Sequence, residues 1–391
     1  MLIVSGGAES VSAAIVAWAR SQEIPVKVFS LSENSLLSGL PGVQVISELK
    51  LGEQRYQVLA RLCEWVDALS GLDGKQILVF PTEDDSLGLV LDLAKIRPHI
   101  VLFSRGRCLD RGGLDKVELF KILESKGLAH LLAPTRLLLG WQDVDEVSLD
   151  WGNDFIVKPS FKPWARSLAG GAKLFRGDEL SLRHVREEIE SGWENEQNWI
   201  AQPLLRPLFG YERSACVVRG QGVQYVEVVE LSKYPARGGS ASWVRTQPGS
   251  TLLRESAESI ATAIDLVGMA ELSFLSDGNG RPKLLEINVR PWLQMELLLH
   301  AGFDILSASI DALEGKPLSN KLVDARPDSW ISLERMALKL ITGDGPRLRT
   351  FRNVFSSLGE KPVIAVWSTR LPGLQWRWIS RNVKRALASL G

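Results

Sequence analysis

The sequence predicts an α/β domain followed by α+β segments, and three observations carry that prediction. Strand and helix signals alternate through the first hundred residues. A strand–turn–strand signal, "MAELSFLSDGNGRPKLLEINVRP", lies near residue 280. The length of 391 residues exceeds what one compact core supports, so two or three domains are expected.

The chain opens with "LIVSGG", a buried-type strand ending in glycines, followed by the helical "ESVSAAIVAWARSQ". "PVKVFSL" is a second strand. Tyr56, Leu59, Leu62, Cys63, Val66 and Leu69 mark an amphipathic helix, and "QILVFP" a third strand. This βαβ rhythm implies a small parallel sheet with helices on both faces. The glycines of "SGGAES" do not have the G-x-G-x-x-G spacing of a dinucleotide site, so a tight strand-to-helix turn is the better reading. In "FPTEDDS", Glu83, Asp84 and Asp85 lie where a parallel strand ends and a helix begins. There Asp84 and Asp85 either cap the helix and complement its dipole, or the acids meet an amino-bearing substrate.

A second unit begins near Asp110. "LDKVELFKILESKG" is a helix closed by Gly127, and "DFIVKPS" is a strand that carries Lys158. "SFKPWARSLAGGAKLF" mixes glycine, serine and basic residues, the composition of a loop that can cover phosphates. "NWIAQPLLRPLFGYERSACVV" is strand, linker, strand; "QYVEVVELSKYPARGGSASW" runs from a strand into a Gly-rich loop. "LLRESAESIATAIDLVG" is a helix with Ile260, Ala263, Ile264 and Val267 on one face.

The Asp-Gly-Asn-Gly turn then makes a hairpin. In "KLLEINVRPW", alternation places Leu285, Ile287 and Val289 on one face and Glu286, Asn288 and Arg290 on the other. Unless a bulge intervenes, cross-strand parity can put Glu271 and Ser273 on the face of Glu286 and Asn288. Carboxylates that close repel unless a cation lies between them. With no thiol or imidazole beside them, these oxygen donors suit magnesium. After about Leu318 the chain is a smaller unit ending in "LQWRWISRNVKRALASLG". Its Arg377, Arg381, Lys384 and Arg385 among tryptophans and leucines give a basic amphipathic helix that docks on its own protein or lies on anionic lipid.

Bulk properties exclude several classes. Forty-six basic and 46 acidic residues balance, which gives no electrostatic case for nucleic acid. Three scattered cysteines argue for a reducing compartment and against a disulfide framework, and the four histidines form no metal-ligand spacing with them. The N-terminus has no basic segment before its apolar run, so no signal peptide is expected. No segment reaches the roughly 18 apolar residues of a membrane span. The expectation is a cytoplasmic protein.

In order, "FPTEDDS", "LDKVELFKIL", "FIVKPS", "KYPARGGSASW" and "LLEINVRPW" resemble the motifs of ATP-grasp ligases. The branch they are most similar to comprises the carboligases related to biotin carboxylase, carbamoyl phosphate synthetase and D-aspartate ligase. "LLEINVRPW" resembles that family's E-x-N-P-R strand.

The resemblance covers about residues 1 to 320. It implies a pre-ATP-grasp α/β domain (1–109) and two α+β subdomains that clasp ATP (110–200 and 201–320), before a small C-terminal region (321–391). By the same resemblance Lys116 and Lys158 grip phosphates, and Gln202 starts the adenine linker with Leu204 and Leu205 as walls. Glu212 accepts from ribose. Glu286, Asn288 and Glu271 hold magnesium, with manganese as the alternative, and Arg290 steadies the transferring phosphoryl. Lys233 and Arg245 flank the Gly-rich loop and meet the second substrate, as Glu83 and Asp84 do in their substrate reading.

The implied activity is ATP-dependent joining of a small-molecule carboxylate to an amine, amino acids or cell-wall and polysaccharide acceptors among them. The other partners expected are a second copy of the chain and a membrane surface for the basic tail. Two residues depart from the pattern. Val289 replaces the motif proline. Ser273 stands where the family has Glu, Gln or Asp, so the alternative implied function is an ATP-binding homologue without ligase activity, in a regulatory or assembly role.

Overall fold

The computed structural model describes all residues except 7–8, 32–34, 48–54, 71–75, 107–114, 162–173, 196, 206–207, 209–210, 235–238, 278, 319–327, 343–361, 366–370, 372, 379 and 381–391. Residues 162–173 of the candidate lid "SFKPWARSLAGGAK", part of the Gly-rich "PARGG" loop, and Arg381, Lys384 and Arg385 of the tail therefore lie outside the described residues.

The leading domain runs β1 (Leu2–Ser5), α1 (Glu9–Ser21), β2 (Val26–Ser30), β3 (Val43–Ser47), α2 (Arg55–Ser70), β4 (Ile77–Pro81), α3 (Asp84–Ile96) and β5 (Ile100–Leu102). Its strands pair in parallel in the order β3-β2-β1-β4-β5. Leu2, Val4, Val79 and Phe29 bury one face against α2 and α3, while Ile3, Val28 and Phe80 bury the other against α1. The order reverses between β1 and β4, and open parallel sheets hold ligands at the carboxyl ends of such strands. Gly6 follows β1 there. A Cβ on it would fall 2.3 Å from Glu83 Oε2, so a larger residue there would require the Glu83 side chain to shift.

Next come β6 (Ser104–Arg105), α4 (Lys116–Ser125), β7 (Arg136–Leu138), α5 (Trp141–Trp151), β8 (Phe155–Pro159), β9 (Phe175–Arg176), α6 (Arg183–Glu194) and β10 (Trp199–Pro203). Strands β7, β10, β8 and β9 form a small antiparallel sheet in that spatial order. Phe155, Val157, Trp199 and Ala201 pack on Val144, Val147, Val185 and Ile189 of α5 and α6. Period-two alternation leaves Ile156, Lys158, Ile200 and Gln202 on the opposite face.

The last group is β11 (Glu212–Gly220), β12 (Gly222–Tyr234), β13 (Ser240–Gln247), α7 (Thr251–Ala263), β14 (Val267–Ser276), β15 (Pro282–Asn288), α8 (Met295–His300), α9 (Ile305–Leu313), β16 (Ser329–Ile331), α10 (Leu333–Thr342) and β17 (Val363–Ile364). These strands form a large sheet in the order β15-β14-β11-β12-β13-β16-β17, and β6 pairs with β14. One face packs on α4 and α7 through Ala215, Val217, Ala270, Leu272 and Phe274. Cys216, Val218, Val228, Val244 and Met269 on the other join α8, α9 and the leading domain.

Pairing or packing crosses the expected domain limits in three places. The limit at residue 200 cuts β10, whose pairing with β8 continues to Pro203. Helix α4 precedes the small sheet in sequence yet packs on the large one, because Leu119, Phe120 and Leu123 bury against Ala257 and Ile260 of α7. The segment after 320 is no separate unit in its described part, since β16 pairs with the edge of β13 and β17 with β16. Covering that edge satisfies its backbone groups. Beyond it, Leu371 and Leu374 are buried in the core shared with the leading domain.

Candidate active site

The hairpin of β14 and β15 makes the floor of the site. Its register sets Glu271 opposite Asn288 and Ser273 opposite Glu286, and a bulge follows at Leu285. That bulge corrects one expectation. Leu284, not Leu285, is fully buried beside Ile287 and Val289 in the core under α4 and α7. The extra residue lets Leu284 and Ile287, three apart, face the same way.

Glu271, Ser273 and Asn288 are each 6–7% exposed. Asn288 Nδ2 donates to Glu271 Oε2 (3.2 Å) and to Glu286 Oε1 (3.3 Å). Burial pushes the Glu271 carboxyl up to about 7, and the nearby charge of Glu286 adds to the rise. Among the described residues no three His, Cys, Asp or Glu side chains converge on one point. What converges is two carboxylates, an amide and a hydroxyl, a hard oxygen set whose mutual repulsion a divalent cation would relieve. These residues fit magnesium.

Arg290 lies two residues past Asn288. Its Nε donates to Asp84 Oδ1 at 2.7 Å, joining the end of β15 to the first residue of α3. Glu83, Asp84 and Glu286 all favour the charged guanidinium and outweigh the effect of burial. The structure thus brings Asp84 and Glu83, 206 and 207 residues away in sequence, to the arginine that ends the motif.

The same face of the large sheet continues into a second charge cluster. Glu212 and Glu230 are paired across β11 and β12. Lys233 Nζ lies 2.5 Å from Glu212 Oε2 and 3.7 Å from Glu230 Oε1. Burial pushes the Glu230 carboxyl up to about 8 despite Lys233, with Glu212, Glu271 and Glu286 adding repulsion. Glu230 was not singled out from the sequence. Its signal is the acid within the apolar run "VEVVEL", whose parity with Glu212 appears only once the β11–β12 register is known. Arg245 does not join this cluster. It pairs with Val229, on the sheet face that carries Arg213 and Gln247, because alternation turns it away from Glu230.

On the small sheet, Lys158 and Gln202 share the face opposite its core. Helix α4 is tied to the exit of β8. Lys116 N donates to Ser160 O (3.0 Å), Ser160 Oγ donates to Asp115 Oδ2 (3.2 Å), and Asp115 caps α4 by accepting from Val117 N. Those bonds bring Lys116 and Lys158, both nearly buried, to one junction. Gln202 Nε2 donates to Thr135 Oγ1 (2.8 Å), while its buried Oε1 has no hydrogen-bond partner. An N–H of a bound base would satisfy that oxygen. The linker that follows carries Leu204, 41% exposed, and the half-buried Leu205.

No family model matches the sequence, and no curated protein matches it. Solved structures do. N5-carboxyaminoimidazole synthetase from Staphylococcus aureus superposes with a TM-score of 0.61 at 17% identity, over 84% of this chain and 81% of that one. Biotin carboxylase from Campylobacter jejuni gives 0.61 at 16% identity, over 84% and 73%. L-amino acid ligase from Bacillus licheniformis gives 0.59 at 14% identity, over 84% and 77%. The chain has the ATP-grasp fold.

Proposed function

We propose that the protein is an ATP-dependent carboxylate–amine ligase that forms an amide through an acyl phosphate and releases ADP and phosphate. The observation that carries the reading is the hairpin floor. Glu271, Glu286 and Asn288 converge there, and Arg290 stands at its end. The known proteins whose folds match include an amino acid ligase and a biotin carboxylase, which agrees with this class of chemistry.

A carboxylate resists amines because it is anionic and its oxide leaves poorly. Phosphorylation by the γ-phosphoryl of ATP supplies a leaving group: the carboxylate oxygen bonds to phosphorus, and ADP departs. The amine then attacks the acyl carbon, phosphate leaves, and the nitrogen gives up its proton. Bound magnesium would offset triphosphate charge, held by Glu286, Asn288 and Glu271. Lys116 and Lys158 supply point charges on flexible stems at the α4–β8 junction, suited to phosphate oxygens. Gln202 accepts from the base, Leu204 and Leu205 wall it, and Glu212 accepts from ribose hydroxyls. Arg290 offsets charge on the acyl phosphate and on the tetrahedral adduct. Lys233 is ion-paired with Glu212 and so sets the position of that carboxylate.

The test is ADP release across a panel of carboxylates and amines. One pair is expected to stimulate hydrolysis, hydroxylamine to trap the acyl phosphate, and Glu286→Gln to abolish both signals. Tight binding of magnesium and ATP with no turnover over a broad panel would instead favour a nucleotide-binding homologue. Ser273, opposite Glu286 on the floor, motivates that second reading.

A further inference from the structure

We propose that Asp84 is a positioning residue for Arg290: the leading domain sets the guanidinium that the hairpin supplies. This rests on the ligase reading above, and it replaces direct substrate contact as the role of Asp84.

The start of α3 does not need Asp84 as a cap. Ser86 Oγ accepts from Glu83 N and Thr82 N, both at 2.9 Å, and so closes the turn. Asp85 offers the same negative charge to the helix dipole. The Asp84 carboxylate instead takes Arg290 Nε at 2.7 Å, with the two side chains 23% and 13% exposed. Arg290 lies beyond the last residue of β15, so the ladder does not fix its backbone. A long side chain at such a place samples many rotamers unless it is tethered. Among the described residues its other hydrogen bond runs from Nη1 to Pro291 O at 3.2 Å. Tethering through Nε and Nη1 leaves Nη2 as the edge that can meet an anion developing over Glu286 and Asn288. A group set in advance costs no reorganisation when charge moves. Completion of the site then depends on the leading domain being docked.

The test compares the affinities of magnesium–ADP and of a non-hydrolysable magnesium–ATP analogue by calorimetry. The ratio between them reports contact with the γ-phosphate, without requiring turnover or a known substrate. Asp84→Ala and Arg290→Ala are each expected to reduce that ratio by about tenfold. The double variant should fall no further than Arg290→Ala alone, because Asp84 acts through the arginine. Asp84→Asn keeps an acceptor for Nε and should lose less than Asp84→Ala. It decides on the same ratio if Asp84→Ala loses its near-UV circular dichroism. An unchanged ratio in the Asp84 variants, additive losses in the double variant, or a wild type without discrimination overturns the proposal. A wild type that binds neither nucleotide overturns the ligase reading itself.

Discussion

At the scale of single residues, the site is a place where acids are held against their charge. Glu271 is buried beside Glu286, which favours its neutral form up to about pH 7 from an ordinary value of 4.5. In the unfolded chain the same carboxyl ionises near its ordinary value. The folded state therefore binds more protons between about pH 4.5 and 7, and the protein without metal loses stability as pH rises through that window. In chelator, Glu271→Gln is expected to melt above wild type at pH 8 by about 2–4 °C, and at the same temperature as wild type at pH 4.5. Melting curves against pH check this, and magnesium should reverse the order at pH 8. A constant difference across the window would contradict the assignment. Burial has another consequence at Glu227, which is fully buried and ion-paired with Arg213 on the opposite sheet face. It accepts from Tyr225 Oη and Ser250 N, so it is a satisfied structural charge beneath α7 and no part of the floor.

Single elements show which parts of the candidate site local signals make legible and which details they withhold. The alternation in "KLLEINVRPW" made Glu286, Asn288 and Arg290 legible as one polar face. The adjacent leucines did not show which one faces inward; the core under α4 and α7 selected Leu284 and put the bulge at Leu285. Bulges in β12 and β13 likewise hid which residues near the Gly-rich loop face Glu212, and Arg245 fell on the wrong side. Where β14 begins, Gly268 has φ +101°, and a Cβ there would lie 2.6 Å from Phe103 O as β6 pairs alongside. Gly268→Ala is expected to cost about 2–3 kcal/mol from backbone strain and the clash together, read by urea denaturation. A loss below about 0.5 kcal/mol would mean that the β6–β14 junction is loose.

Over the whole molecule, one core joins the leading domain to the large sheet. Ile3, Ile15 and Phe80 lie in the same apolar cluster as Met269, Leu298 and Trp330. Phe103, 1% exposed, stacks on Phe80 with ring centroids 5.4 Å apart. Trp18 Nε1 donates to Asp304 Oδ2 across the same seam. A core so shared predicts that the two parts unfold together. Phe103→Ala should cost about 3–5 kcal/mol and split one calorimetric transition into two, and a single transition in the variant would count against the seam as the coupling element. Among the described residues no helix is long and apolar enough to cross a membrane.

The sequence alone determined the local periods: the βαβ rhythm, the hairpin, and the order of motifs that implied the ATP-grasp fold. The rhythm and the hairpin depend on side-chain alternation within a few residues, whereas the fold was implied by the resemblance of the motifs. Only the tertiary structure decided what alternation cannot encode. It placed the bulge that chose Leu284, the register that set Glu230 beside Glu212, and the packing of α4 on the large sheet. It also carried Asp84 across 206 residues to Arg290. Contacts of that separation are fixed by how whole sheets share a core, so no local signal in the sequence announces them.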